Sequence, residues 1–210
     1  MILPRLYPIL DTALYAQRRF SVVEAARLLV ESGVHLMQWR CKTAVGPAQL
    51  AELEQLQQLC HRSGATLVVN DRADLALMTG ARGVHVGQDD LHPTAVRQLT
   101  GPQALLGYST HNREQFLNAA RLPVDYLALG PIYGTANKEN PDPVVGLETL
   151  QLCSGLTRLP VVAIGGITRA RAPEVFAAGA ASVAVIGDLA PEVCDAETFR
   201  QRLNEWLRIL

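Results

Sequence analysis

Short apolar runs alternate with amphipathic helical segments eight times along this chain of 210 residues, and that rhythm restricts the folds that the chain can adopt. Each run has the length and composition of a strand that is buried on both faces of a parallel sheet. The runs cover residues 6–10, 34–39, 66–69, 83–86, 104–108, 125–130, 160–164 and 182–186. Eight strands that are each followed by a helix predict a (β/α)8 TIM barrel, built as a single domain over residues 1–210. A doubly wound open α/β sheet has the same rhythm and is the alternative fold.

Capping residues and prolines mark where the helices begin and end. Ser21 precedes an apolar stripe, Glu24 completes a capping box, and Gly33 ends the same helix. Pro47 and Pro93 open two further helices at first-turn positions. The other helical patterns cover residues 75–78, 111–120, 146–152, 169–178 and 196–207. The loops between these elements are therefore short, and only residues 131–145 are long enough to act as a lid.

The composition excludes several classes of function. The formal net charge is −1, so we expect no basic surface for a nucleic acid. The N-terminal segment MILPRLYPILD has too short an apolar run, interrupted by proline and arginine, for a signal peptide or a membrane span. The four cysteines have no CxxC spacing, which is typical of a cytoplasmic protein without a zinc site or disulfides. Exposed helix faces leave room for a homodimer.

Two aspartates follow neighbouring strands of the predicted barrel. The strand in TLVVNDRADLAL leads into Asn70 and Asp71, and the next strand, GVHV, leads into GQDD and Asp90. Because the carboxyl ends of parallel strands meet at one end of a barrel, we expect both carboxylates there. Two carboxylates are suitable ligands for a Mg²⁺ ion that carries a substrate phosphate. The alternative is that both aspartates are helix N-caps.

A basic strand end is predicted beside these aspartates. Side chains alternate along a strand, so Gln38, Arg40 and Lys42 of QWRCK share one face while Trp39 and Cys41 lie on the other. If the polar face lines the barrel mouth, it supplies one amide and two cations for phosphate groups. The alternative is a set of solvated charges at an exposed strand end. Placing the tryptophan and the cysteine on the buried outer face favours the first interpretation.

Three polar residues near the fourth and fifth strands are open to more than one interpretation. Ser109 is either a hydrogen-bond donor to a leaving oxygen or a plain helix cap. His111 is interpreted as a first-turn helix residue, and His85 as a hydrogen-bonded core histidine. No Ser-His-Asp or Cys-His order is evident, so the sequence does not support covalent acyl chemistry.

The last three strands lead into loops that are suited to binding anions. The sixth leads into GPIYGTANK, in which Thr135, Asn137 and Lys138 offer a hydroxyl, an amide and an ammonium group. The seventh and eighth end in AIGGI and VIGD, where Gly166 and Gly187 would lead into helix N-termini and form a phosphate cradle of backbone N–H groups. The sequence therefore predicts two anion sites, one for a pyrophosphate beside the aspartates and one for a monophosphate at the glycines.

Four segments together resemble the thiamine-phosphate synthase family: QWRCK, NDRADLAL with GVHVGQDD, GPIYGTANK and AIGGI. The resemblance covers residues 6–186, and the block from Asn70 to Asp90 is its most specific part. It implies a Mg²⁺-dependent transferase of thiamine biosynthesis. Such an enzyme joins a hydroxymethylpyrimidine pyrophosphate to a thiazole phosphate, releasing pyrophosphate and forming thiamine phosphate.

The resemblance also implies which residues act on the leaving group. Arg40, Lys42 and Lys138 would stabilise the departing pyrophosphate together with a Mg²⁺ ion held by Asp71 and Asp90. No protein nucleophile is required, since the thiazole nitrogen attacks a pyrimidine methylene from which the pyrophosphate departs.

Other residues would hold the organic parts of the two substrates. Gln38 would hold the pyrimidine, Asn70 would join the pyrophosphate site, and Ser109 would assist either the leaving group or the pyrimidine amine. The thiazole phosphate would be held by Thr135, Asn137, Gly166, Gly187 and the backbone after Ile186.

The chain departs from the family pattern at three places. Trp39 and Cys41 interrupt the usual QLREK, and both lie on the outward face, so we expect little effect. Asn137 replaces the second threonine of the usual TxTK. Gly187 stands where serine is common, which removes one hydroxyl donor and leaves the backbone cradle.

Two other functions are compatible with the same barrel. A thiazole tautomerase would need neither a metal site nor a pyrophosphate clamp. A non-catalytic barrel that binds thiamine-type phosphates for regulation would not need a complete leaving-group apparatus. The leaving-group residues of this chain therefore favour the synthase.

The replacement of a threonine by Asn137 leads to a test. We expect Asn137→Thr to tighten the binding of thiazole phosphate, because threonine is the usual residue at this position of the lid and its side chain is shorter than that of asparagine. The measurement is the apparent KM for thiazole phosphate, and an unchanged or raised value would contradict the interpretation.

Overall fold

The computed structural model, which describes residues 2–134 and 142–210, is a closed barrel of eight parallel strands in sequence order. The strands are Leu6–Asp11 (β1), Leu36–Arg40 (β2), Thr66–Asn70 (β3), Gly83–Val86 (β4), Leu105–Thr110 (β5), Tyr126–Leu129 (β6), Val161–Ile164 (β7) and Ser182–Val185 (β8). Closure occurs because β1 pairs with β8 as well as with β2, with Leu6 opposite Val183. The predicted (β/α)8 barrel is confirmed, and the open doubly wound sheet is excluded.

Helices surround the barrel and connect each strand to the next. Within the described residues they are Thr12–Gln17 (α1), Val22–Glu31 (α2), Pro47–Ser63 (α3), Ala73–Thr79 (α4), Pro93–Thr100 (α5), Arg113–Ala119 (α6), Gly146–Ser154 (α7), Ala172–Ala177 (α8) and Ala196–Leu207 (α9). The short α1 was not predicted. It begins because the Asp11 carboxylate accepts a hydrogen bond from the Leu14 N–H at 3.0 Å, which makes Asp11 its N-cap. No helix in the described part of the chain combines the length and apolar character needed to span a membrane.

Local signals explain most of the other helix boundaries. The Ser21 hydroxyl caps α2 as predicted, by accepting a hydrogen bond from the Glu24 N–H. Gly64 and Gly80 end α3 and α4 in the left-handed conformation. Two predicted helices begin later than expected. Asn112 caps α6, so His111 lies outside that helix, and the Thr168 carbonyl accepts hydrogen bonds in a turn that precedes α8.

The apolar side chains form two layers, one on each side of the sheet. The larger layer lies between the sheet and the helices, and there Trp39 is fully buried and donates from Nε1 to the Glu52 carboxylate of α3 at 2.8 Å. Cys41 is buried in the same layer, as predicted. The smaller layer fills the barrel interior and includes Tyr7, Val68 and Tyr126. Polar side chains are therefore concentrated above this inner layer, at the carboxyl ends of the strands.

Gly107 in β5 makes room for Tyr126, one of the two tyrosines of the inner layer. A Cβ atom at this position would lie 2.0 Å from the Tyr126 ring and 2.5 Å from Nδ1 of His85. We expect Gly107→Ala to lower the free energy of unfolding by about 3 kcal/mol, because overpacking forces rigid rings to move. Urea denaturation measures this change.

Gly155 is the matched control for that substitution. It is also not in the left-handed conformation, and a Cβ atom there would meet nothing closer than 3.6 Å. Gly155→Ala should change the free energy of unfolding by no more than about 0.5 kcal/mol. Equal effects of the two substitutions would show that the space around Gly107 is not tightly packed.

Candidate active site at the carboxyl ends of the strands

A cavity of about 760 Å³ opens at the carboxyl end of the barrel and receives residues from all eight strands or the loops that follow them. Ten predicted site residues line it: Gln38, Arg40, Lys42, Asn70, Asp71, Asp90, Ser109, Gly166, Ile186 and Gly187. The other three, Thr135, Asn137 and Lys138, lie outside the described residues. The structure thus brings together every predicted site residue that it describes. Their individual roles stay predictions.

Asp71 and Asp90 lie close enough to influence each other's charge. Partial burial is the main cause that raises the pKa of Asp90, and the neighbouring Asp71 carboxyl raises it further. The Gly87 N–H, which donates to Asp90 Oδ2 at 2.7 Å, and the Lys42 ammonium oppose this rise. Lys42 Nζ also lies 2.5 Å from Asp71 Oδ2. The two carboxylates therefore repel each other in a pocket that favours a cation.

Neither aspartate caps a helix, so the alternative interpretation is wrong for both. The N-cap of α4 is Arg72, without a side-chain hydrogen bond to the helix, and the N-cap of α5 is His92. Asp71 instead has a left-handed backbone with φ of 63°, and its N–H donates to the His85 carbonyl at 2.7 Å. A non-glycine residue in this conformation is uncommon, because the backbone is strained. It persists only where the surrounding structure holds the residue in place.

The donor set fits a Mg²⁺ ion that is shared with a phosphate. In the described part of the chain no group of three or more His, Cys, Asp or Glu side chains is arranged to hold a metal by itself. Mg²⁺ is commonly bound by one or two carboxylates, with waters and substrate phosphates as its other ligands. The Asp71–Asp90 pair matches that pattern, whereas it would make an incomplete site for a structural metal.

The two cations at the end of β2, Arg40 and Lys42, each form an ion pair with a carboxylate. Arg40 forms an ion pair with Asp11, which lies opposite it in the β1–β2 register. Lys42 is paired with Asp71, as described above. Asp11 was missed in the sequence because its role depends on strand register, and its second oxygen caps α1. These ion pairs hold the guanidinium and ammonium groups in defined positions at the cavity wall.

Several polar groups lie deeper in the cavity. Asn70 is buried, and its Nδ2 has no hydrogen-bond partner in the described structure. Leaving a buried donor unpaired is unfavourable by about 1–3 kcal/mol, so this amide is prepared to bind a ligand. Gln38 is also buried and donates from Nε2 to the Tyr7 hydroxyl at 2.9 Å.

His85 is a hydrogen-bonded core histidine, as predicted, and it also forms part of the cavity wall. Its Nδ1 lies 2.9 Å from the Tyr126 hydroxyl and its Nε2 lies 2.8 Å from Ser109 Oγ. Burial lowers the pKa of His85 to about 4, so the ring is neutral at neutral pH. Because Asn112 caps α6, the helix-cap interpretation of Ser109 is wrong.

His111 was interpreted as a first-turn helix residue, and that interpretation is wrong. It precedes the Asn112 cap, lines the cavity, and its Nδ1 lies 2.9 Å from the Gly130 carbonyl oxygen. The same nitrogen is 3.5 Å from Asp142 Oδ2. The ring therefore connects the loop after β5 with the loop after β6.

The predicted phosphate cradle is built from turns and not from helix N-termini. Gly165 and Gly166 have φ values of 97° and 63°, and a Cβ atom on Gly166 would lie 2.5 Å from the Gly134 carbonyl oxygen. However, α8 begins only at Ala172, and Gly187 begins a turn that is well separated from α9. Loop N–H groups would therefore have to bind an anion here without a helix macrodipole.

Arg171 is a further cation of this region. Its Nη1 donates to the Gly166 carbonyl at 2.8 Å, and its guanidinium lies 4.4 Å from the centroid of the Tyr133 ring. The Tyr133 hydroxyl donates to the Glu174 carboxylate at 2.6 Å. The ring and the carbonyl hold Arg171 at the glycine end of the cavity, which it lines. An isolated arginine before a helix carries no sequence signal for this position.

The carboxylate pair leads to a prediction about pH. Because the pKa of Asp90 is raised in the folded protein, the folded state binds that proton more tightly than the unfolded state does. Stability is therefore lost as the pH rises through the folded-state pKa. We expect metal-free Asp90→Asn to be more stable than the wild type at about pH 7.5, with the difference vanishing below about pH 3, where the carboxyl is protonated in both states because an unfolded aspartate has a pKa of about 3.9.

Urea denaturation in the presence of a chelator measures this difference across the pH range. The exposed Asp74 is the control: its side-chain hydrogen bond with Arg72 lowers its pKa, so Asp74→Asn should become less stable relative to the wild type as the pH rises. A stability difference for Asp90→Asn that is independent of pH would contradict the proposed repulsion.

Known proteins resemble this chain over most of its length. A family model described as thiamine monophosphate synthase matches residues 6–189. The thiamine-phosphate synthase of Koribacter versatilis is 46% identical over 210 residues, covering 99% of this chain and 96% of that protein. The thiamine-phosphate synthase of a Synechococcus strain is 43% identical over 183 residues, covering 87% of this chain, which spans only 51% of that longer protein.

A solved structure agrees with these relatives. The thiamine phosphate pyrophosphorylase from Pyrococcus furiosus superposes with a TM-score of 0.84 at 30% sequence identity, covering 98% of this chain and 94% of that one. The chain belongs to the thiamine monophosphate synthase family.

Proposed function

We propose that this chain is a Mg²⁺-dependent thiamine-phosphate synthase. It would transfer the hydroxymethylpyrimidine group from its pyrophosphate to thiazole phosphate, forming thiamine phosphate and pyrophosphate. The observation that carries the proposal is that two groups of residues suited to binding anions line one cavity. Arg40, Lys42 and the Asp71–Asp90 pair lie at one end, and the glycine turns after β7 and β8 lie at the other.

The balance of charge at the first end supports the metal dependence. Arg40 and Lys42 are each paired with one carboxylate, Asp11 and Asp71, and Asp90 adds a further carboxylate beside Asp71. The Asp71–Asp90 pair would repel a pyrophosphate unless a cation lay between them and it. When bound by Asp71 and Asp90, Mg²⁺ would supply that charge and stabilise the pyrophosphate as it leaves.

The cations at the end of β2, Arg40 and Lys42, would then act on the leaving group directly. Arg40 presents a planar guanidinium that can bind two phosphate oxygens at once, and Lys42 presents a compact ammonium. Both are already oriented by their carboxylate partners, so little side-chain freedom is lost when the pyrophosphate binds. Lys138, outside the described residues, is proposed as a third cation at this end.

The remaining residues would position the two organic groups. The Gln38 amide would hold the pyrimidine, the unpaired Asn70 amide would bind the pyrophosphate, and the Ser109 hydroxyl would assist the leaving group or the pyrimidine amine. The methylene carbon would lose its bond to the leaving oxygen and then be attacked by the thiazole nitrogen. Water exclusion matters here, since water would compete for the same carbon.

The thiazole phosphate is proposed to bind at the opposite end. The residues proposed to hold it are Thr135, Asn137, Gly166, Gly187 and the backbone after Ile186. The partners of the chain would be these small molecules. We further propose that the protein is cytoplasmic, that residues 1–210 form a single catalytic domain, and that the chain can form a homodimer.

One incubation tests the proposed reaction against its alternatives. Both substrates are supplied with and without Mg²⁺, and pyrophosphate and thiamine phosphate are measured. The proposal expects metal-dependent release of pyrophosphate in equal amounts with thiamine phosphate. Isomerised thiazole without pyrophosphate release would indicate a tautomerase, and binding without turnover would indicate a regulatory barrel.

The role of the carboxylate pair is tested by substitution. We expect Asp71→Ala and Asp90→Ala each to lower kcat by about a hundredfold or more, because the leaving group would lose its main electrostatic stabilisation. Both residues lie at strand ends outside the apolar core, so a cooperative thermal transition should be kept. Wild-type turnover by either variant at limiting Mg²⁺ would contradict the assignment.

Asp74 provides a matched control for these substitutions. It is an exposed carboxylate at the start of α4 and is paired with Arg72, and it does not line the cavity. Asp74→Ala should leave the turnover number close to that of the wild type.

A further inference from the structure

Five polar side chains form a continuous chain of hydrogen bonds through the barrel interior. Gln38 Nε2 lies 2.9 Å from the Tyr7 hydroxyl, which lies 2.9 Å from the Tyr126 hydroxyl. The Tyr126 hydroxyl lies 2.9 Å from His85 Nδ1, and His85 Nε2 lies 2.8 Å from Ser109 Oγ. This series of hydrogen bonds therefore connects β2 to β5 by way of β1, β6 and β4.

Because these groups are buried, the donor direction of each hydrogen bond depends on that of its neighbours. Tyr7, Tyr126 and His85 are almost completely buried, so water cannot substitute for a misdirected donor. Each tyrosine hydroxyl has one proton to donate, and a neutral imidazole has one donor nitrogen and one acceptor nitrogen. If the first group of the hydrogen-bonded series donates to the second, each later group must in turn donate to the next.

Gln38 sets that direction. Its amide nitrogen can only donate, so the Tyr7 hydroxyl accepts from it and donates to the Tyr126 hydroxyl. The Tyr126 hydroxyl then donates to His85 Nδ1, which must be the acceptor nitrogen. Nε2 of the same ring therefore carries the proton and donates to Ser109 Oγ.

We propose that this chain of hydrogen bonds fixes His85 as the Nε2–H tautomer and thereby makes the Ser109 hydroxyl a hydrogen-bond donor to the substrate. Because Ser109 Oγ accepts from the imidazole, its own proton is left to point into the cavity that the residue lines. His85 is in this sense a positioning residue that acts through Ser109. The tyrosines position it in turn.

The inference rests on the proposed function and makes one part of it more specific. A serine that must donate can bond a leaving pyrophosphate oxygen or an acceptor nitrogen of the pyrimidine ring. Its second lone pair can still accept a bond from the exocyclic amine, but its single proton can be donated only to an acceptor atom. The Ser109 proton is therefore assigned to the leaving oxygen or to an acceptor nitrogen of the pyrimidine ring.

The packing around the imidazole supports a fixed ring. The His85 and Tyr126 rings stack with their centroids 5.6 Å apart and their planes 23° apart. Gly107 lies against both rings, where no side chain could fit. The lowered pKa of His85 agrees with a neutral ring, which has one acceptor nitrogen to offer to Tyr126.

Nitrogen-15 NMR of the histidine side chains tests the tautomer directly in the wild-type protein without substrates. Acceptor and protonated ring nitrogens have clearly separated chemical shifts. The inference expects Nδ1 of His85 to show the shift of an acceptor and Nε2 the shift of a protonated nitrogen at neutral pH. The reverse assignment, or averaging between the two, would overturn it.

Two substitutions at position 85 test the consequence for catalysis. A glutamine side chain places its amide nitrogen where Nε2 lies and can still donate to Ser109, whereas an asparagine side chain reaches only the position of Nδ1. We expect kcat of His85→Gln to exceed that of His85→Asn by about tenfold, the effect of roughly one hydrogen bond. Equal losses in the two variants would contradict a donor role for Nε2.

A double substitution separates positioning from mere structural support. Adding Ser109→Ala to each variant should abolish the difference between glutamine and asparagine, because the donated bond then has no acceptor. A difference that persists without the serine hydroxyl would overturn the inference. Thermal unfolding of each variant verifies that the barrel is folded.

The two levels of the proposal fail in different ways. If the wild type makes no thiamine phosphate, the proposed function fails, while the NMR measurement still decides the tautomer. If the wild type is active and the NMR shifts are reversed, the proposed tautomer of His85 is wrong and the proposed function stands.

Discussion

The pairing of β1 with β8 is the interaction on which the rest of the structure depends. It closes the sheet, so that eight parallel strands direct their carboxyl ends to the same rim. Residues as distant in the chain as Tyr7 and Gly187 consequently line one cavity. An open sheet of the same strands would leave its first and last strands at opposite edges.

Closure also creates an interior that is small enough to be filled by a few side chains. The lower part is apolar, and the tyrosines Tyr7 and Tyr126 form the boundary with the polar cavity above it. Their rings pack with the core, and their hydroxyls belong to the hydrogen-bonded chain that ends at Ser109. The same two residues therefore contribute both to packing and to the orientation of polar groups.

Two cations of the cavity are paired with carboxylates. Arg40 and Lys42 are each bound to a carboxylate, and Asp90 stands close to Asp71 with a raised pKa. The arrangement keeps the two basic side chains in fixed positions and places the Asp71 and Asp90 carboxyl groups close together. It is well suited to an anion that enters together with a divalent cation.

Much of this could be predicted from the sequence, since the strand and helix periodicities are local properties. The alternation along QWRCK determined that Gln38, Arg40 and Lys42 share a face. The order of strands in a barrel then brought the aspartates of two neighbouring strands to one rim. The sequence could not predict features that depend on strand register or on contacts between distant residues: the pairing of Arg40 with Asp11, the position of Arg171, and the place of His85 in the cavity wall. Those were decided only by the tertiary structure, because a hydrogen bond or ion pair requires atoms within about 3 Å of each other, and residues far apart in the chain reach that distance only after the barrel has closed.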